Sequence, residues 1–201
     1  MGAQDDPARA PADDDRALVR RVLAGDQPAF ERLVARCEPL VRHLAQRMLR
    51  DPRDRDELVQ DVFLRVWRGL HRFAFEAKLT TWVGRIAYRR CLTYLERRGE
   101  ADAEPAEPDD LERHAAALDP DGGESPLARL ERVELHAAVR DAVLALPAVQ
   151  RAAVSLHYLD GLPIPEVAEV MEMPANTVKS HLFRARRTLR ERLARRTLGG
   201  H

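Results

Sequence analysis

Several of the features that usually announce a chemistry are scarce in this chain. Among 201 residues there are two cysteines, Cys37 and Cys91, and neither sits in a CxxC or Cys/His spacing. That excludes a disulfide framework and a zinc module, and two reduced, buried thiols are the expected state. Seven histidines are scattered and none falls in an HExxH pattern, so no metal site is expected. No apolar run approaches the ~20 residues of a membrane span. The amino-terminal "MGAQDDPARAPADDD" is acidic and has no apolar centre, which argues against a secretory signal. A cytoplasmic protein without membrane insertion is the expectation. No nucleophile–base pair, phosphate-cradling glycine loop or paired-carboxylate pocket stands out, so neither an enzyme nor a cofactor is expected.

Net charge is also absent: 33 basic residues balance 33 acidic ones. The balance conceals segregation. Residues 1–15 hold five acids and one base, and residues 16–98 hold nineteen bases and ten acids. Residues 99–126 hold ten acids and one base, whereas 127–201 hold twelve bases and eight acids. Two basic modules joined by an acidic strap suggest a polyanionic partner. The strap, "GEADAEPAEPDDLERHAAALDPDGGESP", contains Pro and Gly and few large apolar residues. It cannot bury enough surface to offset its ordering entropy, so it reads as a flexible linker. Residues 1–15 read as a disordered acidic tail.

Both basic halves have helical periodicity, and neither offers an alternating strand pattern. The expected fold is all-α, with two small helical domains, 16–98 and 127–201, joined by the linker at 99–126. In the first, a short helix over 16–24 precedes one over 26–49, with Asp26 as its N-cap and Pro28 in its first turn. A helix over 53–70 follows, then a loop around "HRFAFEAK" and a helix starting at Thr80 or Thr81. The second half predicts a helix near 127–145, a break at Pro147, a helix to about Tyr158, a short helix at 164–171 and a last one opened by Pro174.

The last two form a short helix, a tight turn and a longer basic helix, the order of a helix-turn-helix. The stretch "NTVKSHLFRARRTLRERL" (176–193) carries six Lys and Arg residues. At ~100° per residue, Val178, Leu182, Ala185, Leu189 and Leu193 fall within about 80° of one another, a stripe to pack against Val167, Ala168 and Met171. Asn176, Lys179, Ser180, Phe183, Arg184, Arg187 and Arg190 gather on another arc of about 140°. Lys179, Ser180, Phe183 and Arg184 lie nearest the end of a recognition helix that meets base edges. A solvated basic helix is the plain alternative, but an aromatic among arginines, Phe183, favours a partner surface. "TVKSHL" also resembles the recognition helix of LuxR-type output domains, so this half alone leaves the kind of helix-turn-helix open.

In the 53–70 helix, Leu58, Val59, Val62, Phe63, Val66 and Leu70 share the core side. Leu64 projects from the opposite side among Glu57, Gln60, Asp61 and Arg68, which reads either as an ordinary exposed Leu or as a small docking surface. The stretch "FAFEAKLTTWVGRIAYRRCLTYLERR" sets Phe73 and Phe75 beside a helix bearing Arg85, Arg89 and Arg90. Aromatics beside bases suit single-stranded nucleic acid. Closure of a three-helix core is the other use of these rings, and is the favoured one for Trp82.

"DELVQDVFLRVWRGLHRF" followed by "AKLTTWVGRIAYRRCLTYLERR" resembles the second conserved region of bacterial sigma-70-type initiation factors, and "LPAVQRAAVSLHYLDGLPIPEVAEVMEMPANTVKSHLFRARRTLRERL" resembles their fourth. With only a linker between them, the chain is similar to the extracytoplasmic-function (ECF) group. The resemblance implies an alternative sigma factor that binds RNA polymerase core and promoter DNA. It implies that Glu57, Gln60, Asp61, Leu64 and Arg68 grip the clamp helices of the largest polymerase subunits, and that the carboxyl-terminal domain meets the flap. It places Phe75, Lys78, Arg85, Tyr88 and Arg89 at the minus-ten element, and Asn176, Thr177, Lys179, Ser180, Phe183, Arg184 and Arg187 at the minus-thirty-five element. An anti-sigma factor is a further implied partner. The chain departs from family habit at Arg89, Thr93 and Glu96, where Asn, Asp and Arg are common, so its flipped-base pocket is expected to differ. A LuxR-like regulator working without polymerase is the other reading, and a helical interaction adaptor a third.

Overall fold

The computed structural model describes residues 10–99, 135 and 137–198, and the side chains of 14–99, 135 and 137–194. Every regular element among them is helical: α1 (Ala10–Leu23), α2 (Gln27–Met48), α3 (Pro52–Gly69), α4 (Leu79–Arg98), α5 (Ala148–Val154), α6 (Ile164–Met171) and α7 (Ala175–Leu198). Residues 137–144 form a further helical stretch before α5. The tail at 1–9, all of the expected linker but Gly99, and residues 127–134 lie outside the described residues.

Local chemistry explains the boundaries. Asp26 is the N-cap of α2, where its carboxylate accepts from the Ala29 N–H at 3.1 Å. Asp51 caps α3 in the same way through the Arg53 N–H at 2.8 Å, with Pro52 at the first helical position. A proline there costs nothing, because the N–H it lacks would have had no intrahelical partner. At the far end of α4, Gly99 takes a left-handed conformation (φ 69°) and its N–H returns to the Glu96 carbonyl, the usual terminator of a helix.

One boundary differs from expectation for a tertiary reason. Helix α1 begins at Ala10 rather than near residue 16, so residues 10–15 are helix and not tail. Asp15 is buried at 3% exposure, lies 2.9 Å from the Arg36 guanidinium, and accepts the Leu79 N–H at 2.9 Å. It therefore caps α4, which has no side-chain cap of its own. Replacing Asp15 by Ala removes that cap and is expected to lower stability by about 1–3 kcal/mol. The denaturation midpoint measures it; an unchanged midpoint would mean the cap is dispensable.

Val41, Leu44 and Met48 of α2, Leu58, Val62 and Val66 of α3, and Val83, Ala87 and Cys91 of α4 make the first core. Burial pushes the Cys37 and Cys91 thiols up to about 12, so both are inert. Val167, Val170, Val178, Leu182 and Ala185 join Ala152 and Leu156 in the second core. The halves do not stand apart. Helix α6 packs against α4, α5 packs against α2, and the buried apolar residues form one continuous cluster. After α5 the chain takes a π turn over Ser155–Leu159, closed by the Asp160 N–H to the Ser155 carbonyl at 2.9 Å. The wider turn leads into Asp160, whose carboxylate meets His43 at 2.8 Å and Arg47 at 2.9 Å across the two halves.

Candidate functional site

Helix α7 presents the surface its wheel foretells. Val178, Leu182 and Ala185 are buried, and Leu189 is half-buried against the core. Opposite them Asn176, Lys179, Ser180, Phe183, Arg184 and Arg187 are exposed, while Thr177 is half-buried. Phe183 is 63% exposed, the most open of the large apolar side chains described. A phenyl ring held in water is unfavourable unless a partner covers it, and a thymine methyl beside arginines is a suitable one. The Ser180 hydroxyl donates to the Asn176 carbonyl at 3.0 Å, leaving its lone pairs directed outward. Arg184 lies 3.4 Å from the His181 ring, and burial together with that cation holds His181 below its ordinary value. His181 therefore stays neutral and does not repel Arg184.

The turn before α7 departs from the common plan. Glu172, the residue after α6, has φ 53° and ψ 45°. That left-handed region favours glycine, and a glutamate held there costs on the order of 1 kcal/mol. Its carboxylate is used across the halves, where it meets the Arg89 guanidinium of α4 in a bidentate pair.

On α3 the expected docking face is open. Leu64 is 53% exposed, and Glu57, Gln60 and Arg68 are exposed around it. Asp61 is half-buried, because it is bridged to Arg65 at 3.2 Å and also pairs with Arg90 of α4. Leu58, Val59, Val62, Val66 and Leu70 are buried on the other side, and Phe63 is half-buried against the same core. Trp67 is an exposed aromatic that sequence reasoning did not single out. It is 51% exposed and makes an edge contact with Phe30 at 4.9 Å. Its place one turn from Leu64 was the available signal.

The residues expected at the minus-ten element are brought together, but they are not free. Lys78 pairs with Glu166 of α6 at 2.5 Å. The Arg85 side chain donates to the Glu169 carbonyl at 3.1 Å, and Arg89 pairs with Glu172. Tyr88 is buried at 4% exposure. Burial pushes its hydroxyl up to about 12, and the Glu172 carboxylate adds to the shift. Phe75 is half-buried with φ 59°, its ring 4.7 Å from Phe73 and 5.2 Å from the Arg16 guanidinium. Phe73 in turn lies 5.2 Å from Trp82. These rings close the core at the foot of α4, the use favoured for Trp82. Thr93 donates to the Arg89 carbonyl at 3.0 Å, and Glu96 is exposed.

Among the described residues no helix is long and apolar enough to cross a membrane.

Comparison with known proteins accounts for both halves. Residues 33–100 match the family model for sigma-70 region 2, and residues 136–189 match that for sigma-70 region 4. The chain is 34% identical over 185 residues to the ECF RNA polymerase sigma-E factor of Haemophilus influenzae, covering 89% of this chain and 95% of that one. It is 31% identical over 179 residues to the RNA polymerase sigma-H factor of Pseudomonas aeruginosa, covering 87% and 91%. Among solved structures it resembles CnrH in complex with the cytosolic domain of CnrY, with a TM-score of 0.63, 25% identity, and coverage of 90% of this chain and 97% of that one. It also shares the fold of the sigma factor RpoE of Bartonella quintana, solved with the anti-sigma factor NepR, with a TM-score of 0.62, 23% identity, and coverage of 82% and 96%. Two matched regions in order, with relatives above 30% identity along most of their length, settle the relationship: this chain belongs to the extracytoplasmic-function group of the sigma-70 family, alternative sigma factors that direct transcription initiation.

Proposed function

We propose that the chain divides promoter recognition between its two halves and carries no catalysis of its own. The observation that supports this best is the segregation on α7: an apolar stripe buried in the core and an exposed face led by Lys179, Ser180, Phe183 and Arg184. That face reads the minus-thirty-five element in the major groove, with Asn176, Thr177 and Arg187 positioning the helix on phosphates. Lys78, Arg85 and Arg89 of α4 hold the separated strand of the minus-ten element, where guanidinium and ammonium groups follow the backbone. Phe75, at the loop before α4, is the aromatic nearest that path. Tyr88 contributes only if α4 shifts, because its ring is buried.

The Leu64 face docks on the clamp helices of RNA polymerase core, with Glu57, Gln60, Asp61 and Arg68 as its polar rim, and the carboxyl-terminal half meets the flap. The chain works in the cytoplasm. An anti-sigma factor holds it inactive between inductions, a reading suggested by the complex of the sigma factor RpoE with the anti-sigma factor NepR.

Footprinting on promoter fragments tests the division of labour. With core polymerase present, the chain is expected to protect both elements and to render bases around the minus-ten element reactive as single strands. Protection of duplex DNA by the chain alone, unchanged by core, would instead make it a free-standing regulator of the LuxR-like kind.

A further inference from the structure

Arg90 stands beside Arg89 in the sequence but serves a different surface. Arg89 meets Glu172 of the carboxyl-terminal half, whereas Arg90 turns to α3 and pairs with Asp61. That pair is one rung of a ladder between two packed helices. On α3, Asp54, Glu57 and Asp61 are spaced by three and four residues and so share one side. On α4, Arg90, Tyr94 and Arg98 are spaced by four and share one side as well. The two rows match in reverse order. Asp54 meets Arg98 at 2.6 Å, Glu57 accepts a hydrogen bond from the Tyr94 hydroxyl, and Asp61 meets Arg90. Burial, and then that hydrogen bond to Glu57, push the Tyr94 hydroxyl up to about 12, so it remains a donor.

Two of these three carboxylates belong to the rim around Leu64. Asp61 also has Arg65 of its own helix, 3.2 Å from both oxygens. That guanidinium is 50% exposed, and an exposed pair at this spacing holds little. Arg90 is differently placed. Its side chain is 14% exposed and its guanidinium lies 5.7 Å from the Tyr94 ring, which restricts it further. Arg90 takes Oδ2 of Asp61, which leaves Oδ1 as the oxygen that a partner's donor can share with Arg65. A carboxylate already held in one orientation loses less freedom on binding than one that must first be ordered.

We propose that Arg90 and Tyr94 are positioning residues for polymerase docking, which hold the Asp61 and Glu57 carboxylates from α4 in the orientation that the clamp helices meet. The proposal rests on the assignment of the Leu64 face to core polymerase. Neither residue touches polymerase; each acts through its rung. The docking face is then built by two helices, with α3 supplying the contacts and α4 the support.

The test is a pair of double-mutant cycles on the affinity of the full chain for core polymerase. It is measured without DNA, so that any role of α4 at the promoter stays out of the result. Arg90→Ala is expected to weaken binding about fivefold, through loss of one ordered carboxylate. Asp61→Ala is expected to weaken it about tenfold, and the double variant should be no weaker than Asp61→Ala alone. Tyr94→Phe keeps the ring beside Arg90 and removes only the hydroxyl, so the fold is retained. It should cost about threefold, and nothing further once Glu57 is replaced by Ala.

Losses that add in full would mean that the α4 residues touch polymerase themselves or only stabilise the fold, and would overturn the positioning role. Affinities unchanged by both Arg90→Ala and Tyr94→Phe would overturn it too. Leu64→Asp separates this from the reading beneath it: normal core binding by that variant would mean that the docking face itself is misassigned, whatever the cycles show.

Discussion

Replacing Leu64 by Asp is expected to abolish binding to RNA polymerase core while leaving the helical fold intact. Leu64 is 53% exposed and takes no part in the core of α3, so the change removes no internal packing. In the complex it would be the apolar centre of a patch rimmed by Glu57, Gln60, Asp61 and Arg68. A carboxylate buried there without a partner would cost at least about 2–4 kcal/mol, roughly a 30-fold to 1,000-fold loss of affinity. Leu23 supplies the control, because it is 54% exposed at the end of α1 and outside that ring. Leu23→Asp should bind core normally. Circular dichroism and a core-binding titration decide it, and intact binding by the Leu64 variant would reject the docking face.

Arg184→Ala carries the second large effect. The guanidinium is exposed near the amino-terminal end of α7, where a recognition helix meets base edges. A lost bidentate contact to one base should cost about 1–3 kcal/mol, and should relax selectivity at that position of the minus-thirty-five element. Arg195 stands about three turns further along α7 and beyond the reading segment. Its replacement by Ala should weaken binding modestly for every sequence, by removing one phosphate contact. Equal losses from the two variants, on matched and mismatched promoters alike, would reduce α7 to an electrostatic patch.

What could be read in advance depended on the range of the forces involved. The α7 stripe and its exposed face follow from helical periodicity, and the caps at Asp26 and Asp51 follow from residues a few positions away. Asp15 could not be read, because its carboxylate caps α4 from 64 residues upstream. Nor could the pairing of Arg85 and Arg89 with α6: a basic residue has the same pattern whether it awaits a phosphate or already holds a carboxylate. One local clue existed in Glu172, a charged residue at the position in "MEMPANT" where the turn needs a left-handed backbone. The resemblance places Tyr88 at the minus-ten element, and its burial beneath neighbouring helices is a tertiary effect that no local pattern carries.

Membership of the sigma-70 family makes direction of transcription initiation the chain's role, and the α7 and Leu64 faces are the surfaces proposed to carry it. Reconstituted transcription tests that conclusion most directly. Purified chain is added to core polymerase on genomic fragments, and the 5′ ends of the transcripts are mapped. New start sites are expected, each preceded by a shared pair of elements at fixed spacing, and Leu64→Asp should erase them all. Core binding without new start sites, or start sites that survive Leu64→Asp, would contradict the account.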